Sequence, residues 1–170
     1  EKPTVLDPFC GTGVVLQEAG LMGMSVRGSD LEERMVEYSK FNLEWLQEKW
    51  GVSFDHHIEA GDATSITIDD SVTNIACETY LGRPFSSLPA PDVLQDVMQD
   101  VNLIHKRFLQ NVARQTQSGF RMCIAIPAWK TPAGFKHLKV LDNLEDMGYN
   151  RIEFVHVRAE DLIYHREGQV

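Results

Sequence analysis

Apolar residues along the chain fall into short blocks of two kinds, and the blocks alternate. Thr4-Val5-Leu6 is a brief apolar segment that ends on Asp7. A glycine-containing turn leads from it into a helical run with Val14, Val15, Leu16 and Ala19. Val26 marks a second short strand, which ends near Gly28-Ser29-Asp30. Leu31, Met35, Tyr38, Phe41 and Trp45 then recur in steps of three and four, the spacing of one helix face. Asp30 followed by Glu33 reads as a capping signature for that helix. Strands are expected near His57-Ile58-Glu59 and from Val72 to Ala76.

A proline-rich stretch with Pro84, Pro89 and Pro91 separates this half from the strongest helical pattern in the chain. Its stripe is Val93, Val97, Val101, Ile104, Phe108 and Val112. Phe120 to Ile126 is apolar except at Arg121, as a buried central strand reads. Leu138, Leu141, Leu144 and Met147 predict a further helix, stopped by Gly148. Two closing strands, near Ile152 to Val157 and Leu162 to Tyr164, are too close in sequence for a parallel crossover and are expected to pair antiparallel. Strands alternating with helices predict an α/β fold: a doubly wound, Rossmann-like sheet, mostly parallel, with a final antiparallel strand. In such a sheet ligands bind beyond the carboxyl ends of the strands. Asp7, Asp30, Asp62 and the segment Cys77 to Tyr80 all fall at those ends.

With 170 residues, 43% of them hydrophobic and 24% charged, the chain suits one soluble domain, residues 1–170. No apolar run reaches the roughly 20 residues of a membrane span, and no secretory leader is evident. Cys10, Cys77 and Cys123 form no CxxC pair, so no zinc site or disulfide framework is indicated. The expected setting is a reducing cytoplasm. The net charge of −9 opposes unaided binding to a polyanion.

The chemistry concentrates in Asp7-Pro8-Phe9-Cys10-Gly11-Thr12-Gly13. Two glycines allow a tight turn and close approach of backbone to a ligand. The following helix directs free N–H groups and its positive dipole end to the same place, which suits a carboxylate such as that of S-adenosylmethionine (SAM). Asp7 would face the SAM ammonium group. A dinucleotide fingerprint requires Gly or Ala where Leu16 stands, and a phosphate loop requires a Gly-Lys pair that is absent. Asp30 suits the hydroxyls of a ribose, or else is a plain helix cap; Asp62 suits an adenine amine, or else is a loop aspartate.

The segment Asp7 to Gly13 resembles motif I of SAM-dependent amino-methyltransferases, most of all the tRNA guanosine N2-methyltransferases often fused to a THUMP domain, and their bacterial relatives. The resemblance extends to the acidic strand ends at Asp30 and Asp62 and to the closing segment Asp161 to Arg166. It implies a class I methyltransferase sheet. It also implies that Asp7, Phe9, Cys10, Gly11, Thr12, Gly13, Asp30 and Asp62 hold SAM. After the fourth strand the family carries an Asp or Asn, two prolines and an aromatic residue. Here the segment is Cys77-Glu78-Thr79-Tyr80-Leu81-Gly82.

An exocyclic base amine is a poor nucleophile, because its lone pair is delocalised into the ring. Transfer to it needs an acceptor for its N–H bonds and a ring to stack the extruded base. Glu78 is the expected acceptor and Tyr80 the stacking ring. Cys77 stands where the family has Asp or Asn, and is also a candidate nucleophile towards a pyrimidine carbon. The leading expectation is SAM-dependent methylation of a base amine, guanosine N2 in tRNA. DNA amine methylation, and a SAM-binding module with an altered reactive segment, are the rival readings. No metal is required. The chain opens on its first strand and closes just after its last, so it is expected to be part of a longer protein, whose RNA-binding surface lies in another domain or subunit.

Overall fold

A computed structural model describes residues 2–85, 89–131 and 134–152. The elements run β1 (Thr4–Asp7), α1 (Val14–Leu21), β2 (Ser25–Asp30), α2 (Glu33–Trp50), β3 (His56–Ala60), β4 (Asn74–Glu78), α3 (Pro91–Gln115) and β5 (Arg121–Ala125). A hairpin of β6 (Ala128–Thr131) and β7 (Gly134–His137) follows, then two short 3₁₀ segments, Lys139–Asn143 and Glu145–Met147.

The first five strands form one sheet in the order β3-β2-β1-β4-β5, and every pairing in it is parallel. The chain winds outward from β1 through β2 to β3, then returns to β4 on the other side of β1. That reversal makes a switch point between β1 and β4, the place where sheets of this kind bind ligands beyond the strands' carboxyl ends. Alternation along β1 divides the core. Val5 packs with Leu16, Val26, Leu43 and Ile58 under α1 and α2. Leu6 packs with Ile75, Val101, Phe108 and Val112 under α3.

Four expectations change. The apolar stripe on α2 is the solvent face: Leu31, Tyr38, Phe41 and Trp45 are exposed, while Val36, Ser39, Leu43 and Leu46 are buried. Asp30 does not cap α2, which starts at Glu33 with Glu32 at the cap position and no side-chain cap bond. Residues 121–125 are not a doubly buried strand, since exposed and half-buried positions alternate, and β5 is the last strand on its side of the sheet among the described residues. Finally, the segment of Leu138, Leu141, Leu144 and Met147 forms 3₁₀ turns rather than an α-helix, with Leu141 and Met147 on the turns and Leu138 and Leu144 at their caps. Their spacing of three residues is the 3₁₀ period. The segment is also pinned to α3, with the Val140 amide donating to Asn102 Oδ1 at 2.8 Å and the Tyr149 hydroxyl to the Leu109 carbonyl at 2.6 Å. The β6–β7 hairpin was not legible in the periodicity. The expected closing antiparallel strands and the segment Asp161 to Arg166 fall almost wholly on residues 153–170, outside the described residues. No described helix is long and apolar enough to cross a membrane.

Candidate active site

The loop after β1 is closed by backbone bonds that its sequence permits. The Cys10 amide donates to the Ser29 carbonyl at 2.9 Å, and the Gly13 amide to the Cys10 carbonyl at 2.7 Å. Gly11 and Gly13 have φ of 52° and 81°, in the left-handed region that favours glycine. Gly13 is further restricted, because a Cβ there would strike the buried Ser39 hydroxyl on α2. Gly13 is also the residue from which α1 begins. Thr12 is exposed, and its carbonyl accepts from Asn42 Nδ2 at 2.9 Å. Cys10 is buried, and burial pushes its thiol up to about 12, so it is a neutral packing group. Phe9 sets its ring edge-on to Phe108 of α3, with centroids 5.1 Å apart.

Asp30 ties the ends of β1 and β2 together. Its Oδ2 accepts the Gly11 amide at 2.9 Å and its Oδ1 the Glu32 amide at 3.0 Å. A carboxylate offers about four acceptor sites, so both oxygens keep capacity for a ligand's hydroxyls. Asp7 is 2% exposed and accepts one bond, from the Phe9 amide at 3.0 Å. Burial pushes its carboxyl up to about 7; the Phe9 bond works against this, and the charges of Asp30 and Glu78 add to it. Neither Asp7 nor Asp30 forms an ion pair with a basic side chain among the described residues. The result is a concentration of negative charge at the carboxyl ends of β1, β2 and β4, suited to a cationic group.

Glu78 ends β4 with its side chain exposed, and Tyr80 is 42% exposed rather than part of the core. Cys77, the β4 residue before Glu78, is 5% exposed and packs in the core beneath α3. Burial raises its thiol, which disfavours the thiolate a nucleophile needs. Asp62 stands apart from the charges that act on Asp7. It is exposed, and its Oδ1 closes a turn by accepting the Thr64 amide at 2.8 Å. An open groove of about 560 Å³ over β2 and β3, lined by residues including Arg27, His57, Ile66 and Val72, contains none of Asp7, Asp30, Glu78 or Tyr80.

One buried polar pair escaped the reading of the sequence. Thr79 is 3% exposed and His105 is fully buried, and Thr79 Oγ1 lies 2.6 Å from His105 Nε2. The available signal was positional: His105 stands four residues after Val101 and three before Phe108, within the buried face of α3.

Comparison with known proteins identifies the family. The family model for UPF0020, described as an RMKL-like methyltransferase domain, matches residues 1–148. A relative from Pyrococcus abyssi, named tRNA (guanine(10)-N2)-dimethyltransferase, is 35% identical over 127 residues, which are 73% of this chain and 33% of that protein. A protein of the same name from Methanothermobacter thermautotrophicus is 32% identical over 123 residues, 72% of this chain and 32% of its own. The chain thus spans about a third of the length of these curated relatives. Among solved structures, a TehB-like SAM-dependent methyltransferase from Corynebacterium glutamicum superposes with a TM-score of 0.53 at 18% identity, covering 86% of this chain and 65% of that one. That likeness speaks for the fold alone, and agrees with the five-stranded parallel sheet. By the family match over residues 1–148, this chain belongs to the UPF0020 family as an RMKL-like methyltransferase domain.

Proposed function

We propose that this domain transfers the methyl group of SAM to the exocyclic N2 amine of a guanosine in tRNA. The observation that carries the reading is the meeting of Asp7, Asp30 and Glu78 beside a glycine turn at the switch point, in a chain related to enzymes named for that reaction.

The residues present fit SAM. Asp7 is a buried carboxylate, raised towards neutrality, with acidic neighbours and no ion-paired base among the described residues. An ammonium group beside it would restore the charged form. The start of α1 offers amides to a carboxylate, and the spare acceptor sites of Asp30 suit ribose hydroxyls. Phe9, Cys10, Gly11, Thr12 and Gly13 form the turn against which the ligand would lie. Asp62, at the neighbouring strand end, is assigned the adenine side. When bound, SAM supplies an electrophilic methyl group on a sulfonium centre.

The chain's own residues supply position and proton handling. Tyr80 offers a half-exposed ring on which an extruded base stacks, a contact worth roughly 1–3 kcal/mol. Glu78 accepts N–H bonds of the amine and so turns its lone pair towards the methyl group. The N–C bond would form as the sulfonium's S–C bond breaks and a neutral thioether leaves, and the Glu78 carboxylate would take the proton that the nitrogen sheds. Cys77, neutral and buried, takes no part in bond making. The charge of −9 leaves these residues poorly suited to hold tRNA alone, so the RNA surface is assigned to another domain or subunit.

Mass spectrometry of tRNA nucleosides from cells with and without the gene tests this reading. N2-methylguanosine should fall when the gene is lost. Loss of a methylated DNA base instead would favour the DNA reading, and no change in either would favour a SAM-binding module.

A further inference from the structure

The inference rests on the roles proposed for Glu78 and Tyr80. Both side chains are exposed at the end of β4, yet the residue between them is buried. Thr79 is held from two sides. Its amide donates to the Ala125 carbonyl on β5 at 3.1 Å. Its Oγ1 lies 2.8 Å from that same carbonyl and 2.6 Å from His105 Nε2 on α3, while His105 Nδ1 lies 2.7 Å from the Val101 carbonyl.

The Val101 carbonyl only accepts, so Nδ1 carries a hydrogen. Burial lowers the pKa of His105, so the ring is neutral and Nε2 is bare. The single Thr79 hydroxyl hydrogen lies within reach of two acceptors, Nε2 and the Ala125 carbonyl, and that carbonyl also accepts the Thr79 amide. Both side chains are out of water, and these contacts are what keep their polar atoms partnered. The next turn leans on the same helix: a Cβ at Gly82 would come within 3.1 Å of both Val97 and Val101.

We infer that His105 is a positioning residue, which holds the Thr79 hydroxyl and thereby fixes the directions in which Glu78 and Tyr80 face the base. The backbone bond to Ala125 sets the height of the segment on the sheet. The side-chain bond sets its lateral position against α3. Without the second restraint the flanking side chains lose their common frame, and a displacement of about 1 Å at a reacting group costs up to about a hundredfold in rate.

The test compares Thr79→Val, Thr79→Ser, His105→Leu and the double variant Thr79→Val/His105→Leu in the protein, with kcat and KM measured on tRNA and SAM affinity by calorimetry. Thr79→Val and His105→Leu should each lower kcat by about tenfold or more, with SAM affinity held within about twofold. Thr79→Ser, which keeps the hydroxyl, should stay close to wild type. The double variant should be no worse than the worse single one, because both remove the same bond. An unchanged kcat in Thr79→Val, equal losses of SAM affinity and kcat, or losses that multiply in the double variant would overturn the inference. Wild-type protein inactive on tRNA even with the domain or subunit its tRNA binding requires would instead overturn the functional reading. In that case the backbone amide NMR signals of Glu78 and Tyr80 decide: they should move in His105→Leu, 26 residues away in sequence from Thr79, and signals left in place would overturn the inference.

Discussion

Burial of Asp7 between Asp30 and Glu78 raises its carboxyl from 3.8 to about 7 and makes it a liability until a cation arrives. The unfolded chain ionises this group near 3.8, whereas the folded chain keeps its proton until about 7. Between those values the folded state binds the extra proton, so stability without ligand falls as pH rises, by an amount on the order of 4 kcal/mol. Asp7→Asn removes that cost. The variant should melt higher than wild type above about pH 7 and bind SAM more weakly, which calorimetry and thermal unfolding will read together. In the wild type, SAM affinity should rise from about pH 6 to about pH 8, because binding an ammonium group favours the ionised carboxylate. Glu78 makes a different kind of contribution, realised as the amine becomes more acidic. Glu78→Gln should lower kcat strongly while SAM affinity is nearly unchanged; a parallel loss of both would mean that Glu78 holds cofactor or fold. The glycine turn at Gly11 and Gly13 and the strand-end places of Asp7 and Asp30 were legible in the sequence because a turn and two strand ends are local patterns. Thr79 and His105 were not, because no periodicity links polar partners 26 residues apart.

At the scale of elements, the alternation of strand and helix was enough to place β1 to β5 along the chain and to make their sheet parallel, and the stripe on α3 marked its buried side. Helix α2 carries apolar residues on two faces, and the stripe with more aromatic bulk faces solvent. The buried face includes Ser39, which is small enough to pass Gly13 and which hides that face from a hydrophobic count. Substitutions separate the two. Leu43→Ala should cost about 2–5 kcal/mol of unfolding free energy, as a cavity in a packed core does. Phe41→Ser, at 67% exposure, should stay within about 0.5 kcal/mol of wild type in denaturant unfolding. The 3₁₀ turns at 139–147 show how short the distance is between two helical patterns: a strict repeat of three fits the 3₁₀ period and also half of the α-helical one.

For the whole molecule the balance of charge governs what it can hold. Sixteen Lys and Arg against 25 Asp and Glu give −9, while RNA affinity grows with the number of phosphates neutralised. These 170 residues alone should bind tRNA weakly and with a shallow dependence on salt. A longer form or an added partner subunit should bind tightly, with affinity falling steeply between low and moderate salt. Strong, steeply salt-dependent binding by the 170 residues would show that local patches outweigh the net charge. The reaction itself is tested most directly by incubating the protein, with any partner its tRNA binding requires, with unmodified tRNA and SAM bearing an isotopically labelled methyl group, then digesting the RNA for mass spectrometry. The label should appear on the N2 amine of guanosine, and be lost with Glu78→Gln. Label on a pyrimidine ring carbon, or none on RNA while SAM is bound, would contradict the account.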